Sequence, residues 1–293
     1  MSQIEVRPAQ AGDRDAVLAF CANTWESGDY IDQVWDDWLL NPDGRLFVAV
    51  VDEQPAGIIH MRMLTQEEAW QEGLRVAPQY RQQGLARALN EAAQLEAMRR
   101  HATVIRLVIH SENERSIHIT ESGHMRRVGS FAPHIAPPLE VERRPVQEHT
   151  QLATLDDLDE IIDYLNVSNI FPVVGGLYYV GFTARSVTAE LLEKGILAGH
   201  IYLLRRWDRL DGLAIAEPRE ERGQKRLSLG YIDGTAIEAI SLIAYDLRRR
   251  LPELGLDVVR VYAPDLVLVR DALGGIGYQW NSSLFYTYER SLE

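Results

Sequence analysis

The chain is poor in cysteine and lysine and has no long apolar run. A single cysteine, Cys21, among 293 residues excludes an intramolecular disulfide and any cysteine-built zinc cage, and suits a reducing compartment. No stretch approaches the ~20 consecutive apolar residues of a membrane-spanning helix, so no membrane span is expected. The opening residues, Met1 to Pro8, lack a basic segment followed by an apolar one; no signal peptide and a cytoplasmic location are therefore expected. Lysine occurs only as Lys194 and Lys225, so nearly all positive charge is arginine. Thirty basic residues against 43 acids leave a net charge of −13. Such a surface repels phosphate backbones, which argues against a nucleic-acid partner, and attracts cations, including amines. The eight histidines show no HExxH-type spacing, so no metal is expected.

What is present is a globular composition, 46% hydrophobic with mean hydropathy −0.19, in a chain about twice the length of a common domain. Residues 131–146 hold four of the twelve prolines and read as an extended connector, placing domains at 1–135 and 147–293 with a linker at 136–146. Hydrophobic periodicity predicts, in the first half, a strand at 4–7 and helices at 11–26 and 33–40. Strands at 46–51, 56–63 and 69–76 follow, then a helix at 84–100, a strand at 103–110 and a helix at 114–122. The second half repeats this order: helix 155–166, extended 178–183, helix 188–194, strands 200–206, 213–217 and 226–232, helix 235–251, strand 258–262, helix 265–273 and strand 284–289. Two copies of one α/β order predict an internal duplication.

One segment carries chemistry. In Leu74–Leu89, LRVAPQYRQQGLARAL, a strand runs through a proline turn into a helix beginning near Gly84. A helix N-terminus offers unpaired N–H groups and the positive end of a dipole. Gly84 permits close backbone approach, Ala86 keeps the first turn clear, and Arg81 and Arg87 add charge. No acid falls between Val76 and Asn90. The pattern suits a phosphate or pyrophosphate, although an ordinary Gly-containing junction would read similarly. It is neither a P-loop nor a dinucleotide fingerprint.

Arg81-Gln-Gln-Gly84-Leu-Ala86, between a strand ending at Val76 and an Ala/Leu-rich helix, resembles the Arg/Gln-x-x-Gly-x-Gly/Ala signature of the GNAT superfamily of N-acetyltransferases. Arg106 to Ser116, with Asn113, resembles that family's fifth strand and the asparagine after it. The resemblance covers roughly 3–135 and implies a mixed-sheet fold, here as two tandem copies, and acetyl-CoA as co-substrate. It implies that the N–H groups of Gln82, Gln83, Gly84, Leu85, Ala86 and Arg87 bind pyrophosphate beside Arg81. Leu74, Arg75 and Val76 would meet the pantetheine arm where the fourth and fifth strands splay, with Asn113 and Ser116 on the same arm. The tyrosine that many members carry seven residues beyond the asparagine is Thr120 here. Tyr30, His118 or His124 would then protonate the leaving thiolate, or water would.

Two-residue periodicity puts Trp70, Glu72, Leu74 and Val76 on one strand face; Glu72 lies four residues before Val76, where the resemblance implies a general base facing the cleft, the bland alternative being an exposed strand glutamate. Trp25 to Trp38 holds three tryptophans, a tyrosine and five acids, and reads either as a box for a cationic amine or as a core helix with solvated acids. Trp25, Asp29 and Tyr30 are taken as pocket and Trp38 as core. An Asp29-Tyr30 wall in a duplicated fold also resembles the histidine N-acetyltransferase group. In the second copy the matching junction, Gly230 to Glu238, lacks the signature. Asp233 reads there as a helix cap, and Asp233 and Glu238 would repel a pyrophosphate. That copy is expected to complete the acceptor pocket, stabilise the first, or form a homodimer surface through 173–182. The leading expectation is an N-acetyltransferase acting on a small-molecule or peptide amine; the competing one is a non-catalytic acyl-CoA sensor.

Overall fold

The computed structural model describes residues 4–22, 24, 28–139, 149–221 and 223–292. The chain forms two compact units: Met1–Ile109, Asn113–Arg127 and Tyr288–Glu293 make the first, and His110–Glu112 and Val128–Thr287 the second. This differs from a cut at 135. Phe131–Ala136 is not a connector but the end of a long strand whose residues pair within the second unit, and the chain's last six residues belong to the first. Of the expected linker at 136–146, residues 140–146 lie outside the described part.

In the first unit, β1 (Ile4–Pro8), β2 (Gly44–Val51), β3 (Gln54–Met63) and β4 (Glu68–Val76) form an antiparallel run, and β5 (Val104–His110) joins β4 in parallel. The crossover between β4 and β5 is α3 (Leu85–Arg99), as parallel neighbours require. Helices α1 (Arg14–Cys21) and α2 (Ile31–Leu40) pack Val17, Cys21, Ile31, Trp35 and Trp38 onto Leu46, Val48, Val50 and Ile58 of one sheet face. The opposite face takes α3 through buried Leu85, Leu89, Ala93 and Ala97. Helix α1 stops at Cys21, well short of 26, and α4 (Glu114–Ser122) has the expected bounds. Cys21 is buried, which pushes its thiol up to about 12, as a packing residue rather than a nucleophile.

The second unit takes most of β6 (Arg126–Ala136) and then repeats the order with β7 (Gln151–Leu152) and α5 (Leu158–Val167). Residues 178–183, expected as one extended piece, lie in a hairpin of β8 (Leu177–Val180) and β9 (Thr183–Ser186). There follow α6 (Ala189–Leu197), β10 (Ile201–Arg206), β11 (Arg209–Glu221), β12 (Gln224–Gly234), α7 (Ile237–Arg250), β13 (Val258–Pro264), α8 (Val267–Gly275), β14 (Gln279–Trp280) and the start of β15 (Phe285–Ser291), whose residues from Tyr288 onward belong to the first unit. Strands β7, β10, β11 and β12 run antiparallel, β13 is parallel to β12, and the second-unit part of β6 pairs with β13.

Candidate functional site

The first unit's site is organised by one bulge. Along β3 and β4, Ile58 faces Arg75 and His60 faces Glu72, so one residue of β3 spans two of β4. The extra residue sits at Gly73, whose φ of +72° favours glycine. A Cβ there would lie 2.4 Å from the Trp38 ring. The bulge breaks the two-residue period, so Glu72, Leu74 and Val76 do not share a face, contrary to expectation. Glu72 instead shares the α1/α2 face with Arg75, while Val76 lies beside Leu89 of α3 at Gly57. A lone glycine inside a strand pattern was the available signal.

Beyond the bulge β4 loses a neighbour. Its parallel ladder with β5 covers only Glu68–Val104 to Trp70–Arg106, although both strands continue. Ala77 donates its N–H to Ala56 of β3, so by alternation the backbone groups of Val76 and Leu74 point to the other edge. There the Leu74 carbonyl accepts from Arg75 at 3.1 Å and the Val76 carbonyl from Arg81 at 3.4 Å.

The chain then turns through Pro78–Tyr80 into α3. Gln82 (φ +64°) and Gly84 (φ +89°) are both left-handed. The first bond into the helix is from the Ala88 N–H to the Gly84 carbonyl, so the N–H groups of Leu85, Ala86 and Arg87 precede the ladder. Nothing lies within 4 Å of a Cβ built on Gly84. Arg87 is exposed and paired with Glu91 at 2.8 Å, which tempers its charge at the turn.

The predicted substrate wall is only partly open. Trp25 lies outside the described residues. Asp29 is engaged by Arg75 through two hydrogen bonds, at 2.7 and 3.2 Å, and its side chain is 3% exposed. Burial pushes the Asp29 carboxyl up, but the Arg75 bonds and charge, with Thr24 and the Ile31 N–H, hold it below the usual range. Arg75, expected on the cofactor, thus latches β4 to the segment before α2, its guanidinium 5.4 Å over the Tyr30 ring. That face of Tyr30 already carries a cation. Trp38 packs inward, its ring parallel to His60 and edge-on to Tyr30.

Glu72 accepts hydrogen bonds from His60 and Arg62, two residues sequence reasoning passed over because only the β3–β4 register brings them to it. Burial pushes its carboxyl up; the His60 bond and the Arg62 charge outweigh this and hold it low, hence ionised at neutral pH. Thr120 is buried, while His118 and His124 are exposed. Asn113 caps α4, its Oδ1 accepting from the Ser116 N–H at 3.1 Å. Among the described residues no group of three or more His, Cys, Asp or Glu could hold a metal, and no helix is long and apolar enough to cross a membrane.

The second unit repeats the bulge without the opening. In β11–β12, Ile215 faces Tyr231 and Ala216 faces Leu229, which puts Gly230 at the shift. A Cβ there would meet the Tyr179 carbonyl oxygen at 2.0 Å, so the β8 backbone lies directly on the bulge. Asp233 is not a helix cap: α7 starts at Ile237 behind Ala236, and Asp233 is a buried strand residue. Its carboxylate accepts from Ser168 and Tyr231, both at 2.5 Å, and from Tyr164 at 3.2 Å. Burial nevertheless holds it above the usual range. Phe182 is exposed, but Leu177, Tyr178 and Tyr179 are core.

Residues 14–124 match the model of the acetyltransferase (GNAT) family. No curated protein matches the chain. Among solved structures, a GCN5-related N-acetyltransferase from Sphaerobacter thermophilus is 12% identical with a TM-score of 0.62, over 99% of this chain and 96% of that one. A tandem GNAT protein from the clavulanic acid biosynthesis pathway is 14% identical with a TM-score of 0.52, over 99% of both chains. The bulged β4, the splay beside it and the acid-free turn thus lie within the segment that matches the acetyltransferase (GNAT) family model, and the whole chain has the fold of solved GNAT structures, a tandem GNAT protein among them.

Proposed function

We propose that the first unit transfers an acetyl group to a primary amine (a small molecule, an amino acid or a peptide N-terminus) by direct attack within a ternary complex. The family acts by acyl-CoA-dependent N-acetylation, with acetyl-CoA as co-substrate. The observation that carries this reading is the sequence of features on β4: an ionised Glu72, then an edge at Leu74 and Val76 beyond the end of the β5 ladder, then left-handed Gln82 and Gly84 before the free N–H groups of α3. The fit to a pyrophosphate lies in that last feature, where no side chain crowds Gly84 and no acid intervenes. Gln82 to Arg87 would hold the phosphates, with Arg81 beside them, Asn113 and Ser116 near the arm, and the Val76 N–H polarising the thioester carbonyl.

Acetyl-CoA supplies an acyl carbon bonded to a thiolate leaving group; the amine nitrogen bonds to that carbon as the C–S bond breaks. Glu72 takes the proton that the amine must lose, directly or through one water. The thiolate is reprotonated by Tyr30 or by water, since the Thr120 hydroxyl is a poor acid. The Tyr30 phenol interacts electrostatically with Glu72. Buried Thr120 favours one other reading, a binder of acyl-CoA without turnover.

Free-thiol release from acetyl-CoA across a panel of amines, amino acids and peptides separates the two. Turnover that is lost in Glu72→Gln supports the transferase. Tight binding with no turnover on any acceptor supports the sensor.

A further inference from the structure

Glu72 is backed by a stack of side chains from two other elements. The Trp38 ring of α2 lies parallel to the His60 imidazole of β3, centroids 4.6 Å apart and planes 8° apart. His60 is fully buried, and its Nδ1 is 3.0 Å from Oε1 of Glu72. An ionised carboxylate only accepts, so Nδ1 carries the proton and donates. Arg62, two residues along β3 and therefore on the same face, donates its Nε–H to the same oxygen at 3.1 Å. Both donors take Oε1. Among the described residues no hydrogen bond reaches Oε2, on a side chain 24% exposed.

The other imidazole nitrogen is informative. Nε2 has no partner among the described residues and lies against Gly44, where a Cβ would approach it to 2.7 Å. A buried polar atom without a partner costs about 1–3 kcal/mol, and packing alone would be served better by an apolar side chain. The arrangement is explained if the imidazole is kept for what its other nitrogen does.

We infer that His60 is a positioning residue for the acetyl-transfer base: wedged between Trp38 and Gly44, it holds Oε1 of Glu72 and turns Oε2 toward the acceptor amine. The inference rests on the reading of Glu72 as that base. His60 touches no reacting atom itself. The charged and titratable groups around the carboxylate are His60 and Arg62 from β3 and Tyr30 ahead of α2. Burial pushes the Tyr30 phenol up, Glu72 and Asp29 add to this, and Arg75 opposes it.

The test follows the Glu72 carboxyl by carbon-13 NMR in protein labelled at the glutamate carboxyls, its resonance assigned by its loss in Glu72→Gln. His60→Leu removes the donor; His60→Asn keeps an amide donor near the Nδ1 position. Removing a donor to the charged form moves a carboxyl to higher pH. Glu72 should therefore titrate higher in His60→Leu and close to wild type in His60→Asn. With acetyl-CoA and the best acceptor of the panel, His60→Leu should lose about ten-fold in kcat, with KM for acetyl-CoA unchanged. An unmoved Glu72 titration in His60→Leu overturns the inference. If that variant does not fold, His60→Asn is compared with His60→Gln, whose amide falls nearer the Nε2 position; identical Glu72 titrations in the two overturn it as well. Failure of the underlying reading looks different: Glu72→Gln retains full turnover while the titration shift in His60→Leu persists.

Discussion

The bulges at Gly73 in β4 and Gly230 in β12 occupy the same step of the same element order, yet their surroundings differ. At Gly73 the neighbour is a side chain, the Trp38 ring, and the strand edge beyond is left by β5. At Gly230 it is a backbone carbonyl, that of Tyr179, carried by a hairpin with no counterpart among the described residues of the first unit. Residues 22–30 join α1 to α2, whereas residues 168–188 join α5 to α6 and include β8 and β9. A strand bulge creates an opening only if the connection above it is short enough to leave one. The acids differ as well. Asp29 pairs with an arginine and is held low; Asp233 is met by three hydroxyls and the Gly234 backbone, with burial holding it high.

The sharpest break between the units should appear in turnover. Glu72→Gln is expected to lower kcat by about 10²–10⁴-fold with KM for acetyl-CoA unchanged, as removal of a general base does. Asp233→Asn should leave kcat alone; equal losses in the two variants would erase the distinction. Next is the latch: Asp29→Ala removes the carboxylate that Arg75, only 14% exposed, is paired with, and should cost about 3 kcal/mol in chemical denaturation. Gly230→Ala follows, at about 1–3 kcal/mol, because its Cβ meets backbone that cannot step aside. Gly84→Glu should fold and lose about ten-fold in coenzyme A affinity by calorimetry, from charge placed at a helix N-terminus. Unchanged affinity would remove the pyrophosphate assignment.

The smallest effect is one of sign. Asp29, depressed in the folded protein, contributes stability that is present above its unfolded value and is lost as pH falls through its folded one, below about pH 4. Asp233, raised in the folded protein, contributes stability below its unfolded value that is lost as pH rises through its folded one. Hydrogen exchange between pH 7 and 3 should show amides near Asp233 gaining protection as those near Asp29 lose it. Parallel trends would contradict the assigned partners.

These contrasts were unevenly legible. The α3 stripe, the bounds of α4 and the acid-free turn at Gly84 come from local periodicity and composition, which neighbours along the chain suffice to express. Period counting failed at Gly73, because one left-handed residue reverses the faces of everything after it. It also failed for Asp233, where a carboxylate just before a helix resembles a cap; only the hydroxyls of Ser168 and Tyr164, more than sixty residues away, reveal the buried network. His60 and Arg62 carry no signal of their own, since their pairing with Glu72 is a matter of strand register.

By itself the sequence determined the doubled α/β order and confined phosphate-suited chemistry to the turn after β4, because both depend on residues close along the chain. Tertiary structure decided which carboxylate is ionised and oriented, which arginine is occupied, and which of two bulged strands keeps an open edge. Each of those outcomes depends on what packs against a strand from a distant segment, and neither periodicity nor composition encodes that.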